Sequence, residues 1–181
     1  MFNLASVSQC TKPFPHWIIP DFINKGAANA LVRALCPQPF NRKDSDLFQF
    51  FQGADLKKSK KKALREFYQC FSNMSFILQI ASLTKKKLKS IDMSPFIYRD
   101  TDYLLPHDDR LEGRKIAYIL YLKSCSSGGN LEFFKGNRLV KSIRPVTGTL
   151  ILFEVSSKSV HQVSEIISGE RISLAGWFHD K

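Results

Sequence analysis

The second half of the chain consists of short, strand-forming segments, and this pattern limits the fold more than any other feature of the sequence. From Pro95 onward, runs rich in β-branched and aromatic residues alternate with Gly, Ser, Asn and Asp. Seven such runs lie at residues 96–99, 115–122, 130–134, 138–143, 149–155, 159–163 and 172–178. Their even spacing, with no helical periodicity between them, predicts an antiparallel sandwich or barrel. The dipeptide Gly136-Asn137 predicts a hairpin turn between two of them.

The first half of the chain shows helical periodicity. Apolar residues recur at helical spacing after Asn24, which predicts a helix that is capped by Asn24 and ends before Pro37. A longer helix is predicted to open with the lysine run at residues 57–62. Its single buried stripe would consist of Leu64, Phe67, Tyr68, Phe71, Met74, Ile77 and Leu78.

Two further stretches of the first half suit strands. Residues 14–23 are apolar but broken by prolines, as in a short edge strand, and residues 47–51 suit a strand that ends at Gly53. The stretch at residues 40–55 combines aromatic and acidic residues, and we interpret it as a loop that faces a substrate. These patterns predict an α+β fold. It would be a double-stranded β-helix, or jelly roll, of antiparallel strands over residues 93–181, with the N-terminal helices of residues 1–92 packed on its outside.

Length and composition favour one folded domain over residues 1–181. The hydrophobic content of 44% and the 15 Phe are sufficient for a full core. No apolar run approaches the roughly 18 residues that cross a bilayer, and residues 1–9 lack a basic segment followed by an apolar one. The 4 cysteines have no Cys-x-x-Cys spacing and suit reduced thiols. We therefore expect an intracellular, cytoplasmic protein with no membrane partner, the nucleus being the alternative compartment.

Positive charge is concentrated in the first half. Residues 1–90 hold 15 Lys and Arg against 5 Asp and Glu, a net +10, whereas residues 91–181 hold 12 against 11. This asymmetry suits an anionic partner such as nucleic acid or a ribonucleoprotein. The plainer interpretation is a solvated, solubilising surface, and charge alone favours it.

His107 and Asp109 have the spacing of half a metal site. Two residues apart in extended backbone, their side chains leave the same face of the chain and can hold one ion. The other half would be a distant histidine, for which His161 is the candidate. Two histidines and one carboxylate on one face of an octahedral ion are the ligand set of non-haem Fe(II) oxygenases. Taken singly, His107 and Asp109 also suit a hydrogen-bonded loop pair, and His161 suits a core histidine.

Arg171 opens an alternating strand pattern ten residues beyond His161. On a strand, Arg171, Ser173 and Ala175 would face the same way. An arginine that points into a barrel is costly unless an anion pairs with it. A carboxylate ligand would accept two parallel hydrogen bonds from the guanidinium.

These residues resemble the Fe(II)- and 2-oxoglutarate-dependent oxygenases, in which a His-x-Asp pair is followed by a distal His and then by an Arg. A closer likeness is to the prolyl hydroxylases that modify a decoding-centre protein of the small ribosomal subunit. The matching text is HDDRLEGRKIAYILYL from His107, LFEVSSKSVHQVSE from Leu152 and RISLAGWFH from Arg171. The text DLFQFFQGADL from Asp46 resembles the N-terminal signature of that group. The likeness runs from about Phe14 to the end of the chain.

The resemblance implies roles for particular residues. His107, Asp109 and His161 would hold Fe(II), and Arg171 would pair with the distal carboxylate of the cosubstrate 2-oxoglutarate. Two tyrosines and one serine would line the cosubstrate pocket, namely Tyr121, Tyr98 and Ser173. O2 would be the second cosubstrate, with ascorbate as a candidate reductant.

The resemblance also implies a substrate. It would be a prolyl residue of a protein, and more narrowly of a small-subunit ribosomal protein, with the basic first half in contact with rRNA. Related proteins often carry a second, non-catalytic barrel. We expect these 181 residues to form the catalytic barrel alone, without any surface for partner recruitment that a second barrel would supply.

Two other functions remain open. The same chemistry would serve a hydroxylase or demethylase of a small molecule or of an alkylated nucleic-acid base. A narrow closed pocket favours the small molecule, whereas an open cleft beside residues 46–55 favours a polypeptide. The other function is a regulatory binding module that responds to O2 or 2-oxoglutarate. None of these readings specifies an oligomeric state.

Overall fold

The structure, a computed structural model, describes residues 2–181. Within them lie three α-helices, α1 (Lys25–Leu35), α2 (Lys62–Phe71) and α3 (Met74–Thr84), and a 3₁₀ turn at Leu56–Lys58. The strands of the first half are β1 (Ser8–Cys10), β2 (His16–Ile19), β3 (Phe40–Ser45), β4 (Phe48–Gly53) and β5 (Ser90–Ile91). The following strands are β6 (Ser94–Tyr98), β7 (Tyr103–His107), β8 (Arg114–Lys123), β9 (Ser127–Gly128) and β10 (Leu131–Lys135). The last are β11 (Arg138–Ile143), β12 (Leu150–Glu154), β13 (His161–Val163), β14 (Ile166–Ser168) and β15 (Arg171–His179).

Thirteen of the strands form one curled sheet. Its order is β1-β2-β12-β8-β15-β6-β4-β7-β13-β10-β11, with β3 paired to β4 and β5 paired to β15. The first and last strands in this order, β1 and β11, lie next to each other. Nζ of Lys141 on β11 is 3.4 Å from Sγ of Cys10 on β1. All of its neighbouring strands pair antiparallel. The predicted jelly roll with helices on its outside is therefore confirmed.

β15 lies between the helical layer and the interior of the barrel, and its successive side chains face the two sides alternately. Ile172, Leu174 and Phe178 are buried in the core beneath the helices. Burial of each such side chain stabilises the fold by about 1.5–3 kcal/mol. On the opposite face Arg171 and Ser173 line a cavity inside the barrel, as their alternation predicts.

Helix α1 begins and ends where the sequence predicts. The side chain of Asn24 accepts a hydrogen bond of 2.8 Å from the backbone nitrogen of Ala27, which caps the helix. Leu31 and Leu35 are buried on the side of α1 that packs against β8. The helix ends two residues before Pro37.

The single long helix predicted after the lysine run is wrong, because the chain forms α2 and α3 instead. Asn73 accepts a hydrogen bond of 2.8 Å from the nitrogen of Ser75 and so caps a new helix. Of the three residues of the predicted stripe beyond the break, Met74 and Leu78 are 53% and 58% exposed, whereas Ile77 is buried as predicted. The buried side of α3 carries Phe76, Ile77 and Ile80.

The first half of the chain contributes strands to the sheet as well as helices. β2 pairs with β12, and β4 pairs with both β6 and β7. The stretch at residues 40–55, interpreted as a loop, is mainly the β3–β4 hairpin, with Asp46 and Leu47 at its tip. This hairpin forms part of the barrel wall.

All four cysteines are free thiols, but Cys125 alone among them is buried, whereas Cys36 and Cys70 lie on the surface. Among residues 2–181, none of the helices has the length and apolar content that crossing a membrane requires.

Candidate metal centre

Three side chains that the sequence singles out lie together in the barrel. Nε2 of His107 lies 3.6 Å from Oδ1 of Asp109, and Nε2 of His161 lies 3.5 Å from Oδ2 of the same carboxylate. One potential ligand atom from each of the three residues lies within 4.8 Å of the other two. These atoms converge on a point that one metal ion can occupy.

Strand pairing explains how residues distant in the sequence meet. β7 and β13 run antiparallel, and His107 and His161 are direct partners in that pairing. Cross-strand partners on one face of a sheet lie close together. Asp109 follows two residues after the end of β7 and reaches the same side.

Both histidines direct Nε2 toward the carboxylate of Asp109, because Nδ1 of each ring is hydrogen-bonded to a backbone carbonyl oxygen. Nδ1 of His107 lies 2.9 Å from the carbonyl oxygen of Leu105, and Nδ1 of His161 lies 2.9 Å from that of Ser159. A carbonyl oxygen only accepts, so Nδ1 carries the proton and donates in each ring. The Nε2 lone pairs are free, and hydrogen bonds of this kind orient histidines that bind metals.

Burial and mutual charge set the protonation of the three groups. Burial lowers the pKa of His161 to about 4. Burial acts to lower the pKa of His107 as well, but the hydrogen bond and charge of Asp109 outweigh it and the pKa is raised. Burial acts to raise the pKa of Asp109, but the hydrogen bond from His107 and the charges of the two histidines lower it overall. An ionised Asp109 and a neutral His161 are the forms that bind a metal ion.

The donor set fits Fe(II). Two imidazole nitrogens and one carboxylate with open positions beside them are typical of non-haem Fe(II) oxygenases. The freed Nε2 atoms and the ionised carboxylate meet that requirement.

A cavity of about 240 Å³ extends from the three residues into the barrel. The side chain of His107 is 30% exposed, whereas Arg171, which lines the same cavity, is 1% exposed. The metal end of the cavity is therefore open to solvent, and the Arg171 end is closed.

Arg171 has unused hydrogen-bonding capacity at the closed end. Its Nη1 donates to the carbonyl of Gly129 at 2.9 Å, while its Nε is buried with no partner among residues 2–181. The guanidinium carbon lies 5.1 Å and 4.9 Å from the ring centroids of Tyr98 and Tyr121. The hydroxyl of Tyr121 is likewise buried without a partner in the described chain. A carboxylate placed here would satisfy both groups.

The remaining residues predicted for the cosubstrate pocket surround Arg171. Tyr98 and Ser173 line the cavity. Tyr121 is the cross-strand partner of Ser173 and lies on the same face of β8 as Ala117 and Ile119, which also line it. Burial raises the pKa of Tyr98 and of Tyr121. Both hydroxyls therefore remain protonated and can donate hydrogen bonds.

Sequence reasoning missed Trp177 and Arg114. Trp177 lines the cavity, and the guanidinium carbon of Arg114 lies 3.3 Å from the centroid of its ring. Nη1 of Arg114 also donates to the carbonyl oxygen of Asp109 at 3.3 Å. Among residues 2–181 the buried indole nitrogen of Trp177 has no partner at full hydrogen-bond geometry, yet it contributes to the lowered pKa of Asp109. The period-two pattern from Arg171 continues to Trp177 and could have identified it.

Asp92 fixes the backbone that carries Trp177. Its Oδ1 accepts a hydrogen bond of 3.0 Å from the Trp177 nitrogen, and its Oδ2 lies 2.9 Å from Nε2 of His179. His179 is thus engaged away from the metal centre. Asp108 also lies outside it, because its carboxylate pairs with Arg110 at 3.1 Å.

A family model described as the 2OG-Fe(II) oxygenase superfamily matches residues 93–179. The matched segment contains the three converging side chains and Arg171. This segment is therefore similar to the 2OG-Fe(II) oxygenase superfamily, the class whose metal-ligand set matches the three converging side chains. Fe(II), 2-oxoglutarate and O2 are the reactants implied by that class.

The chain is also similar to curated prolyl 3-hydroxylases. It is 40% identical over 197 residues to prolyl 3-hydroxylase OGFOD1 of Xenopus laevis, which covers 98% of this chain and 37% of the relative. It is 31% identical over 191 residues to prolyl 3-hydroxylase sudestada1 of Drosophila melanogaster, covering 92% of this chain and 34% of the relative. The chain thus spans about a third of the length of these relatives.

Solved structures with the same fold include two prolyl hydroxylases. A Pseudomonas putida prolyl-4-hydroxylase superimposes with a TM-score of 0.77 at 20% identity, covering 92% of each chain. A Trichoplax adhaerens prolyl hydroxylase, in complex with a hypoxia inducible factor peptide fragment, gives 0.76 at 16% identity, covering 91% of this chain and 83% of that one. At these identities the likeness shows the shared fold.

Proposed function

We propose that this protein is an Fe(II)- and 2-oxoglutarate-dependent dioxygenase that hydroxylates a prolyl residue of a protein. The observation that carries the proposal is one cavity with two chemically different ends. Three metal-binding side chains lie at its open end, and a buried arginine with unused donors lies at its closed end. The similarity to curated prolyl 3-hydroxylases supports proline as the target.

The residues at each end of the cavity would bind a different reactant. His107, Asp109 and His161 would hold Fe(II), which together with 2-oxoglutarate and O2 supplies the oxidising chemistry for a C–H bond. Arg171 would bind the distal carboxylate of 2-oxoglutarate, with Nε as one of the donors. The hydroxyl of Tyr121 would donate to the same carboxylate, because it has no other partner in the described chain.

Apolar side chains between the two ends exclude water. Leu131, Phe153 and Val163 are buried residues that line the cavity, and the ring centroid of Phe153 lies 4.6 Å from that of His161. A dry, apolar wall strengthens the electrostatic contacts of Arg171 and keeps other reductants from the reacting centre.

The surroundings of the open end favour a polypeptide substrate over a small molecule. Leu105 lies two residues before His107, and its nitrogen donates to the carbonyl oxygen of Leu47 at 2.9 Å. These two leucines are 40% and 63% exposed, which forms an apolar ridge beside the metal centre. Phe50 and Gln52 of the β3–β4 hairpin line the adjoining wall. Such an exposed apolar edge suits contact with another chain.

The finer proposal is that the protein substrate belongs to the small ribosomal subunit and that the basic first half contacts rRNA. The sequence resemblance supports the substrate. The net +10 charge of residues 1–90 supports the contact, because ribosomal proteins are bound to a polyanion.

Mass spectrometry of candidate substrates tests the proposal. Purified small-subunit ribosomal proteins, and peptides spanning their prolines, would be incubated with the enzyme, Fe(II), 2-oxoglutarate and O2. We expect the gain of one oxygen on a single proline and none on the matched peptide with alanine at that position. An unmodified set of ribosomal proteins, with another prolyl protein modified, would overturn the finer proposal alone. Absence of modification on every prolyl substrate would overturn the prolyl assignment.

A further inference from the structure

The two lysine runs of the first half have different structural settings. In the run at residues 85–89, Nζ of Lys86 lies 2.6 Å from Oε1 of Glu154, and the nitrogen of Lys89 donates to the carbonyl of His179 at 2.7 Å. Leu88 is buried between them, so residues 85–89 are held against the sheet. We refer to this run as the strap.

Within residues 2–181, the run at residues 57–62 makes no hydrogen bond or ion pair to the sheet; its bonds are local, such as that from the Lys57 nitrogen to Oδ1 of Asp55 at 2.8 Å. Its five lysines, Lys57, Lys58, Lys60, Lys61 and Lys62, are all exposed. Among residues 2–181, the one ion pair that any of them makes is the 3.8 Å contact between Lys62 and Glu66. The first turn of α2 carries no acidic residue, and Arg65 adds a further exposed cation. Six cations in the segment 54–66 thus face two carboxylates, those of Asp55 and Glu66, so this corner carries an excess of positive charge.

A cavity of about 230 Å³ opens in the same corner. Its apolar walls are formed by Leu35, Pro39, Leu56, Leu64 and Pro95. Its polar lining consists of Gln38, Asp55, Lys58, Ser59 and Lys60. We refer to this cavity together with residues 57–62 as the lysine corner.

The lysine corner lies behind the wall of the metal cavity. On β4, Gln52 lines the metal cavity and Gly53 lines the lysine corner. On β6, Phe96 lines the metal cavity and Pro95 lines the lysine corner. Successive strand residues face opposite sides of a sheet. The two cavities are thus separate sites on opposite faces of the same two strands, and changes in the lysine corner leave the metal-binding residues untouched.

We propose that the lysine corner binds a single strand of nucleic acid, with its phosphates on Lys58, Lys60 and Lys61 and one base in the cavity. Contacts between lysine and phosphate supply most of the affinity of binding that does not depend on base sequence. A base enters such a recess only when it is unstacked, which a single strand allows and a duplex opposes. Gln38 is the side-chain amide placed to bond the edge of that base.

Other anionic partners would need features that this surface lacks. A protein interface is anchored by large apolar or aromatic side chains, and a membrane-binding helix inserts them into the bilayer. In the segment 54–66, all of which the structure describes, no large hydrophobic side chain is exposed. A surface of exposed lysines around a recess is therefore better matched to a nucleic-acid backbone.

Fluorescence anisotropy with a labelled oligouridine of about 12 nucleotides, within the usual range of single-strand site sizes, tests the proposal. The variant combines Lys58→Ala, Lys60→Ala and Lys61→Ala. We expect its affinity to fall about tenfold or more, and the slope of log affinity against log salt to fall by about 2, at roughly 0.7 per lost phosphate contact. Gln38→Ala should weaken binding with an unchanged salt slope.

The matched control combines Lys85→Ala, Lys87→Ala and Lys89→Ala, which removes the same number of charges from the strap, and we expect near wild-type affinity. Equal losses in both triple variants would contradict a defined site. Tighter binding to an RNA duplex, or wild-type binding only to vesicles of phosphatidylserine, would also overturn the proposal. Hydroxylation of a short prolyl peptide should be unchanged in the lysine-corner variant, so this test is independent of the catalytic assignment.

Discussion

His107 and His161 are direct partners across the β7–β13 pairing, and their ring centroids lie 4.3 Å apart. A slip of one residue between these strands would turn one imidazole to the other face of the sheet. The pairing shifts register between His161 and Val163, directly beside the centre. Irregularities of this kind re-aim side chains near active sites. Strand register, rather than a flexible loop, therefore holds the two imidazoles together.

Metal binding should weaken as the pH falls through the pKa of His107. Burial acts to lower this pKa, but Asp109 outweighs it and raises the pKa above the ordinary value of 6.5. A proton on Nε2 occupies the lone pair that the metal needs. Isothermal titration with Mn(II) between about pH 6 and pH 8, where histidines titrate, should show falling affinity toward low pH. His161 should add no step in this range, because its pKa is about 4.

The stability of the metal-free protein should depend on pH in the opposite direction. A raised pKa means that protonated His107 stabilises the fold. This contribution is fully present below the unfolded value of 6.5 and is lost as the pH rises through the folded pKa. Thermal unfolding of wild type and His107→Ala across that window measures the difference. A metal affinity and a stability difference that are both independent of pH would contradict the assigned protonation.

Trp177→Phe should weaken metal binding while preserving the packing of Arg114. The substitution keeps an aromatic ring under the guanidinium and removes the indole nitrogen that acts on Asp109. Loss of a hydrogen-bonding group behind a metal ligand typically costs about 10–100-fold in affinity, and we expect about tenfold because the indole nitrogen makes no full hydrogen bond among residues 2–181. Mn(II) titration measures this effect. The control is Trp17→Phe, which removes another buried indole nitrogen that has no partner in the described part of the chain. It lies outside the metal cavity, so affinity should be unchanged.

Arg171→Ala should raise the requirement for 2-oxoglutarate. Removing one partner of a buried charge pair costs about 2–5 kcal/mol, which corresponds to about 30-fold or more in affinity. The Michaelis constant for 2-oxoglutarate, measured by succinate formation, should rise accordingly. Arg99→Ala is the control, because that arginine lies next to Tyr98 but is exposed and pairs with Glu170. An unchanged requirement in the Arg171 variant would place the cosubstrate elsewhere.

The break between α2 and α3 predicts the stability of two variants of α3. Ile80 is fully buried, so Ile80→Ala should lower the free energy of unfolding by about 2–5 kcal/mol. Leu78 is 58% exposed, so Leu78→Ala should change it by less than about 0.5 kcal/mol. Denaturant unfolding of both variants measures the difference. Equal losses of unfolding free energy in the two variants would contradict the exposure of Leu78 and support the single buried stripe that the sequence predicts.

The sequence predicts those features that depend on neighbouring residues. The alternation from Arg171 predicts which side chains enter the barrel, and the cap at Asn24 predicts the start of α1. The break at Asn73 was missed because apolar spacing carries across it, although an Asn capping a new helix is a local signal. β7 was missed because Pro106 interrupts a short segment, and strand pairing with β4 and β13 stabilises it.

Contacts between strands that are distant in the sequence could not be predicted, because they depend on strand register. The stacking of Arg114 on Trp177 depends on the register of β8 against β15, where Trp177 is the partner of Ala117. The pairing of His107 with His161 likewise depends on β7, the strand that was not predicted. The proposed ligand set came from the order of the motifs along the chain and from family resemblance.

Metal loading and turnover of three single variants test the central claim most directly. His107→Ala and Asp109→Ala should each abolish stoichiometric Fe(II) binding under anaerobic conditions and Fe(II)-dependent succinate formation in air, with the metal-free fold preserved. Asp108→Ala is the matched control, because that carboxylate pairs with Arg110 outside the centre, and it should bind metal and turn over as wild type does. Undiminished Fe(II) binding and turnover in the His107 or Asp109 variant would contradict the assignment of the metal centre.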